Sequence, residues 1–185
     1  MITFLKRIIY YTLIINPTTN YIMKNLKAIA LALVVVLSTT AVSAQTKNIN
    51  TTTSTIEWVG KKVTGQHNGT VNFKDGAVVL KKNKLVGGTF TVDMTSLTAT
   101  DLSGEYQGKL NGHLKADDFF GTDKFPTAKL VFKKIGTKSA NVYNVTADLT
   151  IKGITKPVTF ELKVNGNTAT TAFNVDRTKY NIKYN

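Results

Sequence analysis

Apolar and polar residues alternate along most of this chain from residue 53 onward, and the alternation stops at short polar clusters. Over 143–151 the side chains of Tyr143, Val145, Ala147, Leu149 and Ile151 fall on one face, and Asn144, Thr146, Asp148 and Thr150 on the other. Successive side chains of an extended backbone point to opposite faces, so this is an amphipathic strand. Val158, Phe160, Leu162 and Val164 repeat the pattern after a connection over 153–157 that is too polar and too broken for a helix. Upstream, Ile56 and Trp58 open the first strand. Strands over 64–73, 77–80 and 86–94 follow, separated by turns at Lys74, Asp75 and Gly76 and at 81–84, and Gly88, Phe90, Val92 and Met94 share a face. Ala128, Leu130 and Phe132 continue the series after Pro126. A hairpin turn at Asn165, Gly166 and Asn167 then leads to a last strand over 169–175. About eight strands at this spacing predict an all-β sandwich or barrel.

One stretch departs from the period of two. In NGHLKADDFFGTDKFP, residues 111–126, Leu114, Ala116, Phe119 and Phe120 fit a helix of one or two turns that Gly121 and Pro126 end. The preceding TSLTATDLSGEYQGKL, residues 95–110, is polar and irregular, which predicts a long lid or mouth loop.

The N-terminal residues belong to a different class. From Met23 the chain reads MKNLKAIALALVVVLSTTAVSAQ: Lys24 and Lys27 precede an apolar run over 28–37, and Val42, Ser43 and Ala44 form a small-residue cleavage site. That order is a secretory signal, and its apolar run is well short of the roughly 20 residues a spanning helix needs. Residues 1–22 place a second basic and apolar segment ahead of a complete signal, and read as a leader from a start placed too early, with Met23 as the true start. A signal anchor is the alternative, and Pro17 opposes it. Residues 1–44 are thus expected to be leader plus signal. Residues 45–185 are expected to form one domain, delivered to the periplasm or secreted after cleavage near Ala44, and 141 residues suffice for a real core.

The whole chain has formal net charge +13, and removing the four basic residues of 1–44 lowers it to +9. A nucleic-acid surface calls for an arginine-rich patch interleaved with aromatics, whereas Arg177 is the only arginine after residue 44, so no nucleic-acid partner is expected. Peripheral contact with an anionic membrane surface is a better use of the excess. Cysteine is absent, so an exported chain of this size is held by burial and backbone hydrogen bonds alone.

Catalytic chemistry finds little support. His67 and His113 stand 46 positions apart without a metal-ligand partner at usual spacing, and Asp117 and Asp118 are adjacent, which points their side chains apart. No serine sits in a nucleophile elbow. No metal or cofactor is expected, and the chain does not read as an enzyme.

Three segments together resemble the YceI-like family of polyisoprenoid-binding proteins. They are IEWVGKKVTGQHNG from residue 56, GHLKADDFFGTDKFPTAKLVF from residue 112, and DLTIKGITKPVTFEL from residue 148. The resemblance implies a lipocalin-like antiparallel barrel of about eight strands with one short helix. It further implies an apolar lumen for a long isoprenoid lipid, such as a polyprenyl chain or an isoprenoid quinone. On that implication the lumen is lined by Trp58, Phe90, Val92 and Phe132, by Leu149 and Ile151, and by Phe160, Leu162 and Phe173. The family pattern continues beyond FNVDRTKYNIKYN, so a missing C-terminal closing strand is a further expectation. The alternatives are a secreted enzyme acting on a lipid or small molecule through His67 or His113 with Asp117 or Asp118, and a solid-core β interaction module. The head group of the lipid, the process served and the oligomeric state, monomer or dimer, are left open by the sequence.

Overall fold

The longest strand organises the domain. In the computed structural model, which describes residues 43–62 and 65–183, β1 is Gln45–Asn48, β2 Thr55–Lys62, β3 Gly65–Lys81 and β4 Lys84–Ala99. Both β1 and β2 pair antiparallel with one edge of β3, β2 with its first half and β1 with its second, while β4 takes the other edge. β1 adds a strand ahead of the one expected at Ile56. The expected turn at Lys74, Asp75 and Gly76 does not form: β3 runs through it with a register shift between Phe73 and Asp75. An extra residue of this kind bends a strand and strengthens its twist without ending it. Gly76 is needed there for contact, since a Cβ would stand 2.7 Å from the Phe90 ring and 2.9 Å from Ile49.

The remaining strands form a meander, β5 Thr127–Ser139, β6 Val142–Ile151, β7 Ile154–Asn165 and β8 Thr168–Thr171, in the order β3, β4, β5, β6, β7, β8. Tight turns fix its register. Lys82 and Asn83 both have positive φ, as do Lys152 and Gly153, the backbone twist that two-residue hairpins favour. The β6–β7 connection is thus shorter than the expected 153–157, and Pro157 lies inside β7 opposite Asp148. Beyond Leu162 toward its start, β7 has no second partner, so Pro157 sits on an open edge where its missing N–H breaks no ladder. Among the described residues no pairing joins β8 to β1 or β2: the sheet is a curled antiparallel half-barrel with one helix.

The helix is longer and earlier than expected. β4 continues to Ala99 and α1 spans Gly104–Lys115, so most of the supposed mouth loop at 95–110 is regular structure. Only Leu114 of α1 is buried, and three glycines weaken its propensity. Side-chain amides fasten it instead. Asn111 Oδ1 accepts the Ala99 N–H at 2.8 Å, Asn111 Nδ2 donates to Thr98 Oγ1 at 2.9 Å, and Gln107 Nε2 donates to the Ala99 carbonyl at 2.7 Å. Ala99 is fully buried, so these side chains replace a missing strand partner.

The last strand is shorter than the expected 169–175. After Thr171 the chain leaves the sheet edge, and a 3₁₀ turn at Arg177–Tyr180 follows, capped by Asp176, whose carboxylate accepts from the Thr178 N–H at 3.0 Å. Tyr180 and Ile182 are buried against Leu149, with Phe119, Phe120, Ile151 and Ile154 around them. The expected signal and leader fall on residues 1–44, of which 1–42 lie outside the described residues.

Candidate functional site

The apolar faces of these strands all turn to one side of the curled sheet, and a row of rings crosses it. Phe73, Phe90, Phe132, Phe160 and Phe173 succeed one another at centroid separations of 6.0, 5.4, 5.9 and 4.7 Å. The row runs from β3 through β4, β5 and β7 to the segment after β8. Small residues make room for it. Phe132 stands opposite Ala147 in the β5–β6 register, and a Cβ on Gly88 would come within 2.7 Å of two Phe132 ring atoms.

The nine residues expected to line a lumen divide along this face. Phe132, Phe160, Leu162 and Phe173 pack in one cluster with Leu85, Tyr143, Val145 and Ala147, and Phe90 joins it through the Phe132 ring. Trp58, Val92 and Ile151 pack in a second cluster with Val71, Met94, Leu97 and Leu114 beneath α1. Leu149 belongs to a third with Tyr180 and Ile182. All nine thus share one side, in clusters that overlap: Ile151 packs in the second and third, and Phe173 in the first and third. Sequence reasoning passed over Phe73, Tyr180 and Ile182. Tyr180 and Ile182 do alternate with polar neighbours, a weak signal after the run of polar residues at 176–179.

One end of the face is closed. Phe119 lies 5.4 Å from the His113 ring and 5.0 Å from Phe120, with the Arg177 guanidinium 5.6 Å above it. Arg177 also donates to the Ile182 carbonyl at 2.7 Å, and Lys152 Nζ donates to the carbonyls of Asp117 at 2.6 Å and Phe119 at 3.0 Å. The DDFF block therefore acts as a hydrogen-bonded plug between α1 and the β6–β7 hairpin.

His67, one residue of the catalytic alternative, meets an acid other than the two expected. His67 Nδ1 meets Asp101 Oδ2 at 2.8 Å, while the other carboxylate oxygen accepts the Asn68 N–H at 3.3 Å. The His67 hydrogen bond, aided by that backbone donor, holds the Asp101 carboxyl below its usual range. Asp117 is paired with Lys124 at 2.5 Å. Among the described residues no group of three His, Cys, Asp or Glu side chains is placed to hold a metal.

Two open clefts lie along β3 among the described residues. One, of about 450 Å³, is bounded by Asn48, Ile49, Thr51, Lys74 and Thr89; the other, of about 260 Å³, by Glu57, Trp58, Gln66, Asn68 and Thr100. Neither gathers aromatic anchors around convergent polar groups, the usual mark of a ligand site. The apolar face is the better candidate.

Comparison with known proteins agrees with this architecture. The family model of the YceI-like domain matches residues 48–185. A UPF0312 protein of Staphylococcus aureus (strain bovine RF122 / ET3-1) is 50% identical over 56 residues, a segment spanning 30% of this chain and 30% of that protein. A YCEI protein of Campylobacter jejuni, known from its crystal structure, is 24% identical with TM-score 0.42, covering 52% of this chain and 55% of that one. BcnA of Burkholderia cenocepacia is 18% identical with TM-score 0.45, covering 75% and 80%. The family match extends over β2 to β8, α1 and the C-terminal segment, and on that ground the chain belongs to the YceI-like family.

Proposed function

We propose that this chain is a non-catalytic binding protein that holds the hydrocarbon tail of an isoprenoid-type lipid against the ring row. It would do so in the periplasm or after secretion, once cleaved near Ala44. The observation that carries the reading is the continuity of the row from Phe73 to Phe173, with Phe90 and Phe132 only half-buried. Each buried CH₂ is worth about 0.8 kcal/mol, so one isoprene unit contributes roughly 3 to 4 kcal/mol before the costs of association. A few units reach the roughly 8 kcal/mol of micromolar binding without a head-group contact. A polyprenyl chain and a quinone tail are equivalent on this account.

The test is organic extraction of protein purified from its native envelope, followed by mass spectrometry. A prenyl lipid in stoichiometric yield supports the reading. Phe160→Asp, and the milder Phe90→Ala, should lose that lipid, while Thr159→Asp on the outer face of β7 keeps it. A folded Phe160→Asp protein with unchanged lipid content overturns the assignment. A second reading, a solid-core interaction module, draws on Val145, Ala147 and Ile182, which are fully buried with no ligand needed. Extraction of a bare protein would favour it.

A further inference from the structure

The two ends of the sheet differ in cover and in charge. In the meander β3, β5 and β7 run toward one end and β4, β6 and β8 return from it, so the turns at 82–83, 140–141 and 166–167 meet there. The opposite end carries α1, the plug of Phe119 and Phe120, and the buried Tyr180 and Ile182. Among the described residues the hairpin end has only these two-residue turns above the sheet.

Charge follows the same axis. The strand ends and tips over 45–48, 78–87, 136–145 and 161–171 hold six lysines, Lys47, Lys81, Lys82, Lys84, Lys138 and Lys163, against one acid, Glu161. Glu161 is paired with Lys138, which leaves five lysines in excess. All six are exposed, and Val86, 49% exposed, stands beside the three lysines of the β3–β4 tip. At the covered end, over 57–70, 93–126, 148–157 and 172–183, nine carboxylates offset nine lysines and Arg177.

From this we infer that the hairpin end docks the protein on an anionic lipid bilayer, with Lys81, Lys82 and Lys84 as the principal contacts. A dipole of this kind turns the basic end toward a negatively charged surface and leaves the near-neutral, covered end in water. A bilayer fits better than a nucleic acid, because the end offers compact ammonium charges beside an exposed valine and has no arginine fork for base or phosphate recognition. The docking rests on charge alone. Its use in exchanging lipid with the ring row rests on the proposed function, since the end that docks is the one left uncovered.

Flotation with vesicles decides it. Full-length mature protein should bind vesicles of phosphatidylcholine containing about one third phosphatidylglycerol, and not phosphatidylcholine alone, with binding lost at high salt. Each lysine near such a surface is worth roughly fivefold, so Lys81→Gln, Lys82→Gln and Lys84→Gln together should weaken binding about 100-fold. The triple Lys→Arg variant keeps it. Neutralising Lys61, Lys109 and Lys124 removes the same charge from the covered end and should change binding less than about threefold. Equal losses in the two triple variants overturn the inference, as does retention on a nucleic acid without flotation. Extracted lipid is measured in the same preparations, so a protein that carries lipid yet never floats defeats the docking alone, and one that floats without lipid defeats the lipid reading alone.

Discussion

Phe160 of β7 and Phe173, two residues past the end of β8, stack with centroids 4.7 Å apart and planes 16° from parallel. Thr171 is the last residue of β8 to pair, opposite Leu162, and the same register sets Phe173 opposite Phe160, so the ring contact continues past the end of the ladder. Stacked rings gain from both buried area and offset contact. Beyond Phe173 the same segment packs Tyr180 and Ile182 onto Leu149.

Phe173→Ala should therefore cost about 2 kcal/mol of stability, less than a fully buried phenylalanine because Phe173 is half-buried. Urea denaturation measures it. Val175→Ala, at a side chain 41% exposed, should stay within about 0.5 kcal/mol. Equal effects at the two positions would mean that the stack does not anchor the segment.

A second expectation concerns the α1 latch. Asn111→Ala removes the acceptor of the buried Ala99 N–H and the donor to Thr98, and should cost roughly 1 to 3 kcal/mol, the penalty of an unsatisfied buried group. Hydrogen exchange at the Ala99 amide should speed up in parallel. Gln107→Ala, which frees only the Ala99 carbonyl, should leave that amide protected.

The strand content was legible because it rests on period-two alternation, and the hairpin tips at Lys82 and Asn83 and at Gly166 were legible because turns need particular backbone conformations. The continuity of β3 was not. Lys74, Asp75 and Gly76 have turn composition, and only the fit of Gly76 under Phe90 and Ile49 shows that the glycine is there for contact. The helix escaped because tertiary hydrogen bonds to Ala99, which no local pattern announces, hold a weakly apolar segment in place. In the candidate site the large residues of the strands were readable from alternation. The covering segment was not, because its position depends on where β8 stops.

Acid should loosen the covered end, where the start of β3 meets the residues just after β4. The His67 hydrogen bond lowers the Asp101 pKa below its ordinary 3.8, so the folded state prefers the carboxylate. Its contribution is present above the unfolded pKa and disappears as the pH falls through the lower folded value. Thermal unfolding between pH 5 and pH 2 should show wild-type stability declining below about pH 4. Asp101→Asn, which keeps the shape but not the charge, should flatten that decline. An unchanged acid limb in this variant would show that Asp101 is not the group titrating.

Alkali should act on the same covered end, through Tyr180. Its side chain is 2% exposed, and burial, with a smaller effect from Asp176, raises its pKa above the ordinary 10.0. The folded state therefore keeps the phenol protonated while the unfolded chain ionises. Stability from this source is complete below the unfolded pKa and is lost as the pH rises through the folded one. Between about pH 10 and pH 12 the wild-type protein should lose stability faster than Tyr180→Phe, which keeps the ring against Leu149 and has no proton to release. Absorbance of the phenolate near 295 nm, followed together with unfolding, should show one tyrosine ionising late and only as the segment over 172–183 comes away. If Tyr180 ionised early in an otherwise folded protein, the segment would be an easily displaced cover. Late ionisation coupled to unfolding would make it part of the core that closes this end of the apolar face.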